Sequence, residues 1–167
     1  MDTAKYIVVA STLCALAFSL LVGCRGDRVE WSYASIADAK KAEPSAQSWV
    51  PDELLPESSR NLVVAGESSP SREWCAFEFT PSDSGRLLKL KALNKIDDLP
   101  QSVRRVQNPH KMWWPNVLVG SLDPQEIRST GLQLFIAEKP ANAVNTTIFL
   151  FALDLAKGQG YFYSTYK

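Results

Sequence analysis

Hydrophobic and polar positions alternate along several stretches of the chain. In Glu73-Trp74-Cys75-Ala76-Phe77-Glu78-Phe79 a period of two places Cys75, Phe77 and Phe79 on one face of a strand. Residues 61–65 and 132–137 read as shorter strands. The clearest hairpin spans residues 146–153 and 160–166, turning through Ala156-Lys157-Gly158-Gln159. Helical signals lie between these runs. Ser35-Ile36-Ala37-Asp38 matches a capping box, opening a helix to about Ala42 that Pro44 stops. Thr80-Pro81-Ser82-Asp83 is a second start, with threonine as cap and proline in the first turn. Leu87, Leu90 and Leu93 then recur every third residue, flanked by Leu88 and Ile96, and predict a helix to about Lys95. The stretch Leu88-Lys89-Leu90-Lys91 also alternates as a strand would. Asp123-Pro124-Gln125-Glu126 caps a helix of about one turn, whereas Trp49 to Pro56 is apolar but bracketed by prolines. The pattern predicts an α+β domain: a small, mostly antiparallel sheet with a C-terminal hairpin and helices packed on one face.

The run over residues 7–22 carries no charge and reads IVVASTLCALAFSLLV. It is short for a membrane-spanning helix, which needs roughly 20 apolar residues, and suits the apolar core of an export signal. It ends in Leu21-Val22-Gly23-Cys24, which resembles the lipobox of bacterial lipoproteins. That resemblance implies a diacylglycerol thioether on Cys24, cleavage before it and acylation of the new amine, with palmitate-type chains as the membrane partner. Flanking charge argues against the alternative of an uncleaved signal anchor, because Arg25 and Arg28 follow the span while Lys5 is opposed by Asp2. The expected organisation is a signal peptide over 1–23, a lipidated tether over 24–33 and one head domain over 34–167. Arginine rather than aspartate at position 25 points to the outer membrane, facing the periplasm.

Composition narrows the chemistry. Eighteen basic and eighteen acidic residues cancel, so the chain lacks the basic footprint of a nucleic-acid binder. Cys75 is the one thiol left after processing, and its strand pattern predicts a buried residue. No zinc or calcium spacing is present and no cofactor is expected. His110, the sole histidine, lies in Asn108-Pro109-His110-Lys111. Asp97-Asp98 and Asp52-Glu53 are adjacent acids at turns, Gly158-Gln159-Gly160 reads as a hairpin turn, and Asn145-Thr146-Thr147 matches a glycosylation sequon. Charge is segregated: residues 27–83 carry 11 acids and 5 bases (net −6), and residues 86–111 carry 7 bases and 2 acids (net +5). The second stretch is either a face for an anionic partner or a surface balanced by the acidic half. Trp49, Trp113 and Trp114 stand in irregular segments, as recognition residues or as plugs of the core.

The order of landmarks is similar to the YbbD head-domain family of small envelope lipoproteins. The matching pieces are Ala37-Asp38-Ala39, Ser48-Trp49-Val50-Pro51 through Leu55-Pro56-Glu57-Ser58-Ser59, Trp74 to Phe79, Trp113-Trp114-Pro115, and Phe151-Ala152-Leu153-Asp154 with Gly160-Tyr161-Phe162-Tyr163. The resemblance implies a fold and a location, and brings no enzymatic activity with it. The expected function is a non-catalytic binding or structural module with an envelope protein or toxin as partner. Its candidate contact residues are Trp49, Trp113, Trp114, Arg104, Arg105 and His110. The alternatives are an immunity-type lipoprotein neutralising a periplasm-active toxin and an envelope hydrolase using His110.

Overall fold

A computed structural model describes residues 28–42, 51, 53–68, 71–140 and 146–166. Cys24, Trp49, Asp52 and Asn145 lie outside the described residues, as do residues 1–23, expected as an export signal.

Nine strands are present among these residues: β1 (Arg28–Ser35), β2 (Arg60–Ser68), β3 (Ser71–Glu78), β4 (Lys91–Leu93), β5 (Arg105–Val106), β6 (Gly120–Ser121), β7 (Gln133–Pro140), β8 (Thr146–Asp154) and β9 (Gln159–Tyr166). Seven form one sheet in the order β1-β2-β3-β9-β8-β7-β4, and β5 pairs with β6 in a separate ribbon. Every pairing in the large sheet is antiparallel. Two short helices accompany them, α1 (Ile36–Lys41) and α2 (Pro124–Ser129).

The sheet is buried on both faces, and β8 shows it most clearly. From Ile148 to Asp154 every residue is buried, the signature of a strand with no solvent side. Ile148, Leu150 and Ala152 point to one face with Trp74, Trp114, Leu134, Ile136 and Tyr163, here called the tryptophan face. Phe149, Phe151 and Leu153 point to the other with Cys75, Phe77, Phe135 and Phe162, the phenylalanine face. The cover on the phenylalanine face comes from α1 through Ile36 and Ala39, from Leu55 and from Leu87. The tryptophan face is covered by Leu99, Val103, Val106, Leu118 and Leu122 in irregular chain and by Ile127 of α2.

This arrangement corrects the expected α+β class with helices on one face. Among the described residues strand makes up 45% and helix 22%, and much of the helix is single 3-10 turns. One short α-helix lies on each side of the sheet. The largest departure is the helix expected from Thr80 to Lys95. Its place is taken by 3-10 turns at Pro81–Asp83 and Leu87–Lys89, followed by strand β4. The leucine repeat is real, but it serves two cores. Leu87 and Leu90 pack on the phenylalanine face, and Leu93 packs on the tryptophan face after the chain rounds the sheet edge. Leu88 and Ile96, which widened the apparent stripe, are about half exposed (55% and 53%). A spacing of three fits both a 3-10 turn and a chain that changes sides, and Gly85 weakens the α-helical alternative.

The other elements follow their sequence signals. The Ser35 hydroxyl accepts the Asp38 amide at 3.2 Å and caps α1; Asp123 accepts the Gln125 amide at 2.8 Å and caps α2. The β8–β9 hairpin turns where Lys157 N–H donates to the Asp154 carboxylate (2.9 Å) and Gly158 N–H to the Asp154 carbonyl (2.9 Å). Gly158 has φ +67°, and a Cβ there would strike the Phe79 carbonyl oxygen, so the turn requires glycine. Residues 28–33, which the sequence placed within a tether over 24–33, belong to a strand. Val29, Trp31 and Tyr33 alternate with polar residues, and this period of two places residues 28–33 in β1 instead.

Candidate functional site

One row of Cα partners crosses the sheet near one end: Arg28 with Glu67, Glu67 with Arg72, Arg72 with Thr165, Thr165 with Ile148, and Ile148 with Glu138. β1 starts at this row, so the chain leading back to Cys24 leaves from this end of the sheet. A cleft of about 630 Å³ opens at the same end on the tryptophan face. Its floor is Arg72, Tyr163 and Thr165 from β3 and β9; its walls include Ser102, Arg105, Gln107, Asn108, His110 and Gly120 from the covering segments.

Strand alternation fixes the floor. Arg72 and Trp74 share a face of β3, and across from them stand Thr165 and Tyr163 of β9. Both β3 side chains hold Gln107. The Trp74 indole N–H donates to the Gln107 carbonyl at 3.0 Å, and the Arg72 guanidinium donates to the Gln107 side-chain oxygen at 2.6 Å. Arg72 also stands 3.6 Å from Glu67. The ribbon of β5 and β6 shapes the wall, burying Val106 and turning Arg105 outward. Burial pushes the Tyr163 phenol above its usual pKa, so it remains a hydrogen-bond donor.

The candidate residues fall into different environments. Arg105 and His110 line the cleft, and both are exposed. His110 adopts φ +55°, with its backbone N–H donating to the Asn108 side-chain oxygen at 2.7 Å. It shares the cleft with Ser102, and no hydrogen bond joins the two side chains. Arg104 is not among the residues that line the cleft; its Nε–H donates to the Leu99 carbonyl at 3.0 Å. Trp114 is buried in the core, its indole N–H 3.4 Å from the Leu118 carbonyl and its ring edge-on to Tyr161. Trp113 is half-buried, and its indole N–H reaches Glu30 at 3.5 Å. Lys111 pairs with the same carboxylate at 2.6 Å. These contacts, the Lys111 hydrogen bond foremost, hold Glu30 below the usual carboxylate range and pin the 108–113 loop to β1. Trp49 and Cys24 lie outside the described residues.

The remaining sequence candidates have local partners. Asp98 accepts the amides of Asn94 and Lys95, each at 3.0 Å, which lowers its pKa. Glu53 pairs with Lys139 at 2.8 Å. Arg86 of the basic stretch pairs with Glu57 at 2.6 Å, and with the Lys111–Glu30 pair this ties two of its cations to the acidic half. Cys75 is fully buried, and burial, aided by Glu73, raises its thiol well above the ordinary value. Among the described residues no cluster of three or more potential metal ligands occurs, and no helix is long and apolar enough to cross a membrane.

Sequence reading missed two features. Arg72, Gln107, Tyr163 and Thr165 belong to the cleft, and the alternation around Trp74 already puts Arg72 on its face. Glu73, on the phenylalanine face, is buried and accepts the Ser164 hydroxyl at 2.6 Å. Burial raises its pKa to about 7 despite that hydrogen bond. A charged residue on the face of Cys75 and Phe77 was the available signal. Comparison with protein-family models, curated proteins and solved structures gives no match.

Proposed function

We propose that this chain is a lipid-anchored, non-catalytic binding module of the bacterial cell envelope. Acylated Cys24 holds it to the membrane, facing the periplasm on the outer-membrane side, and the cleft is its recognition site. The observation that carries this reading is the convergence of Arg72, Arg105, His110, Asn108 and Tyr163 on one concave surface at the end of the sheet from which the tether leaves. Loop side chains supported by a rigid sheet are the usual means of presenting a binding surface, and clefts of this size suit small polar ligands or a projecting side chain. The lipobox-like run Leu21-Val22-Gly23-Cys24 after an uncharged apolar stretch supports the location.

Cys24→Ser tests the anchor. The expected outcome is loss of acyl mass, accumulation of a heavier precursor and absence from the outer-membrane fraction. A variant that matures normally and still fractionates with that membrane would contradict the reading. For the site, Arg105→Ala should weaken capture of envelope components by the lipidated chain without changing its melting temperature.

A further inference from the structure

The cleft has a direction of charge. Arg72 and Arg105 place two guanidinium groups on it from separate elements, and none of its lining residues carries a carboxylate. Glu67 offsets part of the Arg72 charge from the next strand at 3.6 Å. Arg105 has no ion pair or hydrogen bond of its side chain among the described residues. Asn108 and the hydroxyls of Ser102, Tyr163 and Thr165 add neutral donors around these cations. Guanidinium forks surrounded by neutral donors fit a group with several acceptor oxygens, above all a phosphate.

The tether says where such a group is met. Cys24 precedes the first residue of β1 by four positions, a reach of about 14 Å at full extension. Arg28 and Arg72 sit in the same cross-strand row, two strands apart, so about 10 Å separates their backbones. An acylated Cys24 therefore keeps this end of the sheet at the bilayer surface. Exposed apolar side chains gather there too. Val29 stands at the start of β1, Tyr166 at the end of β9, and fully exposed Met112 on the loop that Lys111 and Trp113 pin to Glu30. Apolar residues beside cations are the composition of a surface that lies against lipid headgroups.

We propose that the cleft binds the phosphate of an anionic phospholipid in the membrane that holds the anchor, orienting the domain with this end of its sheet on the bilayer. The inference rests on the lipid-anchored reading for the source of the phosphate; the chemistry of the cleft stands apart from it. The lipidated chain in neutral-detergent micelles tests both. Increasing fractions of phosphatidylglycerol should raise its melting temperature to a plateau, phosphatidylcholine should do so at least tenfold less effectively, and inorganic phosphate alone should give a smaller shift. Arg105→Ala should weaken the phosphatidylglycerol response at least tenfold. His110→Asn, chosen because asparagine tolerates positive φ, should weaken it several-fold. Lys89→Ala, an exposed cation outside the cleft, should leave it within twofold. Equal losses for Arg105→Ala and Lys89→Ala, or a response that never saturates, would overturn the site. Inorganic phosphate giving the same shift as the lipid would overturn the lipid assignment in favour of a free phosphate. An intact mass showing Cys24 without acyl chains, with phosphatidylglycerol binding retained, would overturn the anchor and with it the bilayer orientation.

Discussion

On the phenylalanine face of the sheet, Phe149, Phe151 and Phe162 meet one another at ring-centroid distances of 5.7–6.4 Å, with Phe77 and Phe135 in the same cluster. On the opposite face Trp74, Tyr161 and Tyr163 of the sheet meet Trp114 of the covering chain; the Trp74 indole donates to the Gln107 carbonyl of that chain, and the Trp114 indole to the Leu118 carbonyl within it. The difference has consequences for what each face can become. Phenylalanine gives a covering segment apolar area and no hydrogen bond. Indoles and phenols give area plus a polar handle, so irregular backbone can lie over them with its carbonyls satisfied. That is how segments 99–122 cover the tryptophan face with few regular elements and still leave a polar cleft at its edge.

The comparison can be broken from either side. Phe151 is fully buried between its neighbours, and Phe151→Ala should cost about 3–5 kcal/mol. Urea unfolding would measure it; a loss below 1 kcal/mol would mean that this face is not the dry core described here.

A pH effect of about 3 kcal/mol should come from Glu73. Its carboxyl has a pKa of about 7 in the fold against 4.5 as the ordinary value. Between these values the folded state keeps a proton that the unfolded chain has released. Stability from this group is therefore complete below pH 4.5 and declines as pH rises through 7, by about 1.4 kcal/mol per unit of pKa difference. Glu73→Gln should flatten that decline and stabilise the protein at pH 8. Chemical denaturation of both forms at pH 5 and pH 8 gives the comparison, and a wild-type curve that rises across this range along with an unimproved Gln variant would contradict it.

On the tryptophan face, Trp74→Phe keeps most of the packing and removes the donor to Gln107. A cost of about 1–3 kcal/mol is expected from the carbonyl left without its partner. Amide hydrogen exchange should rise in residues 105–110 more than in β8. Uniform exchange changes would show that the indole hydrogen bond does not hold the cleft wall.

The smallest effect belongs to Arg105→Ala. Its exposed side chain should change stability by less than about 0.5 kcal/mol, while Arg104→Ala, which loses its donation to Leu99, should cost about 1 kcal/mol. Thermal melts of the two variants should separate them in that order.

Much of this was legible along the chain, because alternation over a half- or fully buried strand is a local signal. β2, β3, β7 and the β8–β9 hairpin follow their patterns, and both α-helices begin at the caps that Ser35 and Asp123 announce. What was not legible depended on which side of the sheet a residue serves. Leu87, Leu90 and Leu93 read as one helical stripe because a sequence does not mark the point where the chain rounds an edge. The site divides in the same way. Arg105 and His110 could be picked from their loops, whereas Arg72 and Tyr163 reach the cleft through β3–β9 register, set by pairings more than eighty residues apart. Trp113 and Trp114 were conspicuous as a pair, yet one carries a loop to Glu30 and the other fills the core.

The proposed membrane anchoring and orientation are tested most directly by asking which end of the sheet meets a bilayer. Met112 is fully exposed near the end of the sheet where β1 starts, and Ala156, also exposed, lies in the β8–β9 turn at the far end of the sheet. About eight strand residues separate the two ends, or roughly 25 Å. A fluorophore placed on Met112→Cys or on Ala156→Cys of the lipidated chain, in vesicles containing phosphatidylglycerol and a headgroup quencher, reports which end meets the bilayer. Strong quenching at position 112 with little at 156 is the predicted result. Equal quenching at both positions, or stronger quenching at 156, would contradict it.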